Sequence, residues 1–485
     1  MAGDAMNFIV FVSDTFRRDF LRTYGNSWIR TKYIDEFAKK AVVFDRAYAA
    51  SFPTVPARRD IFTGRYSYVY AGWEPLSLDE RVIAEILSQH GYTTMLIADT
   101  PHFLKDGYNF QKGFTGWYWV RGQENDNYMT EPLEVEFPCQ PDKLRNPYRT
   151  VVQYLRNVSE RRYESDYFAA QTVTEAIKWL ERNYKYRKRR KFFLYIDTFD
   201  PHEPWDPPRW YVDMYDPNYE GEEVTYPVYG PVDFLSEREL KHTIALYAGE
   251  VTMVDRWFGK LMEKVEDMGL MEDTTIIFTT DHGFYFGEHG LIGKSIITSD
   301  GKRFAWAPLY EEVARIPLII YAPEHKMGWR CDELVQLPDL MPTILELAGI
   351  EIPDFVNAKS LVGLLEGSVE SLREFAVTSP PIIRGAMAGL KTTITTKEWS
   401  FLLCGKQEPV EPYEFEFSVD GVRKKIIKEV RVESELYNLS KDPKQTRNVL
   451  QGNLDVAREL HRKYIEFLKS VGTSPQVMKP WLEFQ

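Results

Sequence analysis

The stretch Asn7-Phe-Ile-Val-Phe-Val-Ser-Asp14 holds a five-residue apolar run, Phe8 to Val12, that leads to an acid. Three further runs repeat the pattern: Thr94–Ala98 leads to Asp99, Phe192–Ile196 to Asp197, and Thr275–Thr279 to Asp281. Short runs rich in β-branched and aromatic residues predict strands buried on both faces. Amphipathic helical stretches such as Asp166–Tyr184 and Leu246–Met268 lie between them. Strands alternating with helices predict an α/β fold, a doubly wound, mostly parallel sheet flanked by helices. In such sheets ligands gather at the carboxyl ends of strands. Each acid alone also reads as a turn or helix-cap residue; four acids at four strand ends are what a cationic cofactor requires.

After about residue 385 the texture changes. Lys391–Leu403 and Phe415–Val432 alternate polar and apolar residues around a Val419-Asp420-Gly421 turn, and a helix is expected at about Leu454–Val471. The chain therefore reads as a main unit over 1–385 and a small antiparallel α+β subdomain over 386–485.

The 485 residues are 44% hydrophobic and 14% aromatic, which supports a large core and excludes global disorder. A net charge of -12 argues against a nucleic-acid partner. Any anion site must then be locally positive. The basic run Lys185–Lys191 sits between a helix and a buried strand and reads as a solvated loop. No run reaches transmembrane length, so no membrane partner is expected. The three cysteines, Cys139, Cys331 and Cys404, form no visible framework. Together with an N-terminal run of strand character and no secretion signal, this predicts a cytoplasmic location. A homo-oligomer is compatible with the composition.

The chemistry is carried by Ser51-Phe-Pro-Thr54-Val-Pro56-Ala-Arg58-Arg-Asp-Ile-Phe-Thr-Gly64-Arg65. Pro56 fits the first turn of a helix and Gly64 its end. Thr54 is then expected just before the helix N-terminus, where an anion also prefers to bind, with the Arg58 guanidinium one turn in.

Thr54-Val-Pro-Ala-Arg58 followed by Thr63-Gly-Arg65 resembles the signature of the sulfatase family, a branch of the alkaline phosphatase superfamily. The resemblance extends through Asp14, the Asp200-Pro-His202-Glu-Pro-Trp-Asp-Pro-Pro208 segment, Asp281-His282-Gly283, and Gly287-Glu-His289-Gly with Lys294. It continues through Arg315–Ile320, Asp339–Thr343 and Glu435–Pro443. It implies a hydrolase of small anionic esters, with one divalent metal held by Asp14, Asp281, His282 and the Thr54 hydroxyl. It further implies that Arg58, Lys294 and His202 surround the transferring group, with His202 as general acid and Lys294 or His289 as the other candidates.

The departures carry as much weight. Sulfatases oxidise a cysteine or serine to formylglycine, whose diol expels sulfate by collapsing to an aldehyde. Thr54 has no such route; its ester must be cleared by water, which is ordinary for phosphorus and difficult for sulfur. The Asp281-His282 pair, with Asp14-Thr15 where many sulfatases have two aspartates, resembles phosphonate monoester hydrolases and phosphodiesterases. An imidazole bonded directly to the metal favours Mn²⁺ or Zn²⁺, then Fe²⁺, over Ca²⁺. A two-metal version would use Asp197, His202 and His289, as phosphopentomutases do. Asp99 and His102 stand where sulfatases carry Gly-Lys-Trp-His, and together with His289 are candidates for substrate contact. The expected activity is phosphodiester or phosphonate monoester hydrolysis through a covalent phosphoenzyme. The alternatives are a sulfatase without formylglycine and a phosphotransferase or mutase.

Overall fold

The computed structural model describes residues 6–132, 134–186, 190–298, 301–323, 325, 328–407, 410–419, 422–430 and 432–483. Eight strands form the central sheet: β1 (Asn7–Ser13), β2 (Val42–Tyr48), β3 (Thr93–Ala98), β4 (Gly116–Trp119), β5 (Phe192–Thr198), β6 (Thr274–Thr279), β7 (Arg315–Tyr321) and β8 (Trp329–Gln336). Their order across the sheet is β8-β2-β7-β6-β1-β5-β3-β4. Only β7 runs against its neighbours, pairing antiparallel with β2 and β6; β1 lies parallel between β5 and β6.

The side-chain period of two divides β1 between two cores. Ile9 and Phe11 join one core with Val173 and Trp179 of helix Phe168–Asn183 and with Leu246 and Phe258 of helix Glu237–Asp267. Phe8, Val10 and Val12 join the other, with Val55, Ile61, Ile83 and Leu340. Helices therefore cover both faces, which is why the strands read as unbroken apolar runs. Helix Glu237–Asp267 starts well before the expected Leu246. Its first turn is polar and is fixed by a capping box, in which Ser236 accepts from Glu239 N and the Glu239 carboxylate accepts from Ser236 N.

Toward the C-terminus, Ala376–Thr378, Lys391–Thr395, Trp399–Cys404 and Glu435–Asn438 form a four-stranded antiparallel sheet. It begins at Ala376, before residue 386, because Ala376–Thr378 pairs with Lys391–Thr395. The Phe415–Val432 region contributes a separate ribbon, Tyr413–Val419 paired with Val422–Lys428. Phe417 stacks on Phe234 at 4.4 Å, which anchors that ribbon to the main unit. The closing helix spans Leu454–Ser470. Asp420 and Gly421 of the turn, and Arg187–Arg189 of the basic run, lie outside the described residues. Among the described residues no helix is long and apolar enough to cross a membrane. The three cysteines are free and buried.

Candidate active site

Thr54 is the first residue of a ten-residue helix, Thr54–Thr63, rather than the residue ahead of it; Pro53 takes the cap position. Pro53 supplies no side-chain cap, so the N–H groups of the first turn have no intrahelical partner. Gly64 closes the helix at φ 63°, the left-handed conformation that favours glycine, and donates to Asp60 O. All ten residues are buried. Asp60 fixes the entering loop by accepting from Ser51 N, Ser51 Oγ and Ser67 N, each at 2.8 Å. Burial pushes its carboxyl up to about 7. The sequence reading passed over Asp60 because the run Arg-Asp-Ile reads as ordinary helix interior. Phe52 N donates to Ser379 O at 2.9 Å, tying this loop to the start of the C-terminal sheet.

β1, β5 and β6 are adjacent, so Asp14, Asp197 and Asp281 emerge together at their carboxyl ends. Arg58 joins all three. Its Nε and Nη2 donate to Asp197 at 3.1 and 3.0 Å; its Nη1 lies 2.8 Å from Asp14 Oδ2 and also donates to Asp281. Arg58 is fully buried, and its guanidinium is occupied by three carboxylates. Burial and neighbouring Asp281 push Asp14 up to about 8. Burial also acts on Asp281, but Arg58, His282 and Lys294 outweigh it and hold that carboxyl well below the usual range.

Thr15, at φ 60°, donates its N–H to Asp281 at 2.9 Å and its hydroxyl to Asp14 at 2.6 Å. His282 stands on the other side. Its Nδ1 donates to Gly283 O at 3.0 Å, so Nε2 carries the lone pair and accepts from Lys294 Nζ at 3.4 Å. Burial pushes His282 down to about 3, with the Lys294 charge adding to it. The Phe52 ring packs on His282 at 4.8 Å. The loop ahead of Thr54 and the turn after it are thus both pinned to the carboxylate cluster.

His202 is 4% exposed and stacks on Phe199 at 4.0 Å. Its Nδ1 donates to Glu203 O at 2.8 Å. Burial and then the Lys294 charge push its pKa well below the usual imidazole range. His102 also faces Phe199, at 5.7 Å, and meets the edge of half-exposed Trp73 at 5.0 Å. Its Nε2 lies 3.3 Å from Glu124 Oε2. Sequence reasoning missed Glu124, Arg145 and Glu203, which are far apart in the chain and sit in loops without periodicity. Arg145 lies over the rings of Tyr226 and Tyr229, 4.2 Å from each centroid, and bonds Glu203 Oε1 at 2.8 Å.

Asp99, Asp197 and His289 are each engaged by protein partners. Asp99 is fully buried; its carboxylate accepts from Thr172 and Thr198 hydroxyls, both at 3.1 Å, and from Phe199 N. It binds the end of β3 to β5 and has no face for substrate. Asp197 is taken up by Arg58 and by the Thr100 hydroxyl at 2.6 Å. His289 stacks on Tyr310 at 3.9 Å and pairs with Glu312 at 3.3 Å. Asp197, His202 and His289 therefore form no second metal set among the described residues.

One group of described residues does suit a metal: ligand atoms of Asp14, Asp281 and His282 lie within 4.8 Å of one another, all buried. Asp14 Oδ2 accepts no hydrogen bond, Arg58 meeting it only as an ion pair. A buried carboxylate oxygen without a hydrogen-bond donor, near an imidazole nitrogen held only by the 3.4 Å contact to Lys294, fits a divalent cation, and one nitrogen with carboxylate oxygens suits Mn²⁺, Zn²⁺ or Fe²⁺.

The family profile described as Sulfatase matches residues 6–350. The chain is 25% identical to an arylsulfatase of Clostridium perfringens over 516 aligned positions, covering 96% of this chain and 93% of the relative. Among solved structures, a protein in complex with its substrate D-glucosamine-2-N,6-O-disulfate superposes with TM-score 0.71 at 20% identity, over 98% of this chain and all of that one. The phosphonate monoester hydrolase of Agrobacterium radiobacter does so with TM-score 0.68 at 20% identity, over 96% and 95%. These two likenesses speak to the fold. The profile match, laid over a sheet that gathers Asp14, Asp281 and His282 against the helix that Thr54 opens, assigns the chain to the sulfatase family, whose members are metal-dependent ester-bond hydrolases.

Proposed function

We propose that this chain hydrolyses phosphate diesters or phosphonate monoesters through a covalent ester on Thr54. The observation that carries the reading is the residue itself: threonine stands where the family has a cysteine or serine converted to formylglycine. A threonine ester cannot collapse to an aldehyde, so turnover needs water to attack the central atom, which phosphorus permits.

A divalent cation held by Asp14, Asp281 and His282, with the Thr54 hydroxyl, would supply the positive charge that makes that hydroxyl acidic near neutral pH. The remaining work belongs to the chain. Thr54 attacks the ester in line. The unpaired N–H groups of its helix, with the dipole behind them, and the Lys294 ammonium offset charge developing on the transferring oxygens. Arg58 keeps the three carboxylates at one spacing. His202 is neutral at rest; an anionic ester beside Lys294 offsets the charge that depresses it, and His202 then carries the proton to the leaving oxygen. His102, with Trp73 at its edge, borders the leaving group.

A sulfatase reading without formylglycine is favoured by one observation, the arylsulfatase relative aligned along almost the whole chain. Acid quench during turnover of 4-nitrophenyl phenylphosphonate, followed by peptide mass analysis, separates the readings. A phosphonylated peptide at Thr54 supports the proposal. A sulfated Thr54 that accumulates with aryl sulfate, while phosphorus esters leave no adduct, contradicts it. Transfer to an added alcohol in preference to water marks a phosphotransferase.

A further inference from the structure

Two histidines flank Phe199, and each is backed by a buried glutamate turned toward it in the same way. Glu203 is fully buried; its Oε1 accepts from Arg145 at 2.8 Å and from the Tyr229 hydroxyl, and its Oε2 has no hydrogen-bond partner but lies 3.2 Å from His202 Nδ1. Glu124 is 3% exposed; its Oε1 accepts from the Tyr226 hydroxyl at 2.6 Å and lies 3.5 Å from Arg145, and its Oε2 is turned to His102. One arginine thus holds both glutamates. The backbone carbonyl of Glu203 already takes the Nδ1 hydrogen, so the carboxylate is not needed to choose the tautomer. What it adds is a negative charge beside a buried ring. Among the described residues, His202 Nε2 has no protein partner, so it is the nitrogen left for a substrate.

We propose that Glu203 is the positioning residue of His202. Held by Arg145 and Tyr229, its carboxylate fixes the ring with Nδ1 inward and stabilises the imidazolium that protonates the leaving oxygen. This rests on the hydrolase reading above only for the atom attacked. In the step, Thr54 Oγ, its proton already lost to solvent, bonds the central atom, and the bond from that atom to the leaving oxygen breaks as the Nε2–H proton passes to the leaving oxygen. The water that later cleaves the Thr54 ester returns a proton to Nε2. Removing a carboxylate behind a catalytic imidazole lowers its ability to carry charge without moving the ring.

The test compares leaving groups. An alkyl leaving oxygen needs the proton and a 4-nitrophenyl one does not. In the metal-loaded, full-length enzyme, Glu203→Gln is expected to lower kcat for ethyl phenylphosphonate by about tenfold or more, and kcat for 4-nitrophenyl phenylphosphonate by less than about threefold. His202→Gln should show the same selectivity, and the double variant should be no worse than His202→Gln alone. Equal losses on both esters would mean a merely structural glutamate and overturn the proposal; so would no loss. If only sulfate esters turn over, the phosphorus reading falls, and the same aryl and alkyl pair is run as sulfates. A readout independent of turnover is the ¹⁵N spectrum of histidine-labelled protein, with His202 assigned by its loss in His202→Gln. The Nδ1 resonance of His202 is expected to move in Glu203→Gln while the other histidines outside this cluster stay; an unmoved resonance overturns the proposal.

Discussion

Arg58 Nη1 lies 2.8 Å from Asp14 Oδ2, with both side chains fully shielded from solvent. The pair is part of a balance in which Arg58 meets Asp14, Asp197 and Asp281 together. Removing the cation leaves buried carboxylates without compensation, which costs about 3–5 kcal/mol. Arg58→Ala is therefore expected to lower the urea midpoint of the metal-free protein strongly, and Arg58→Lys less. An Arg58→Ala loss below about 1 kcal/mol would show that the carboxylates simply take up protons and that the arginine does not organise them.

The metal count follows from which carboxylates stand together with His282, namely Asp14 and Asp281. Elemental analysis should give one divalent metal per chain. Asp281→Asn and His282→Ala should lose it, and Asp197→Asn should keep it, since Asp197 bonds to Arg58 and Thr100. Chelation should both inactivate the enzyme and lower its Tm. Two metals per chain, one lost with Asp197→Asn, would restore the binuclear arrangement.

Thr54→Ala should abolish steady-state turnover while leaving the fold and metal content intact. The Thr54 hydroxyl caps nothing in its helix, so its loss should cost no more than about 1 kcal/mol. Circular dichroism and thermal melting check the second half of the statement. Residual activity above a few per cent of the parent's would point to direct attack by water.

Asp255 gives a pH signature far from the metal ligands. Its carboxylate accepts from Ile34 N at 2.7 Å and Tyr33 N at 3.2 Å, and burial pushes its pKa up to about 8. A folded-state pKa above the unfolded value means that the folded state holds the proton longer. The contribution is fully present below about pH 4 and is lost as pH rises through about 8. The stability of the parent relative to Asp255→Asn should therefore fall across that window. A difference that is flat, or that rises with pH, would contradict the assignment.

Much of this was legible before any coordinates. The four strands ending in acids were readable because burial on both faces makes a strand apolar throughout, and their carboxyl ends had to face a ligand. The four acids at that edge do not share one set of partners. Asp99 and Asp14 look alike in the sequence, but Asp99 lies between threonine hydroxyls and Asp14 between an arginine and the His282 imidazole. Such partners come from distant segments and leave no local signal. The same holds for Glu124, Arg145 and Glu203, whose pairing depends on how three loops meet. The expected boundary near 385 followed the change in residue pattern, whereas Ala376–Thr378, only three residues long, is too short to announce itself as a strand.

Whether Thr54 serves phosphorus or sulfur is read out by steady-state turnover on matched aryl esters. With purified enzyme and each candidate divalent metal, kcat/KM for an aryl phosphodiester or phosphonate monoester is expected to exceed that for the aryl sulfate by at least ~10²-fold, about 2.7 kcal/mol of transition-state stabilisation. The sulfate should give a burst and then stop as sulfated Thr54 accumulates. Sustained turnover of the aryl sulfate at a rate equal to or above that of the phosphorus esters would contradict the account and return the chain to the sulfatases in activity as well as in fold.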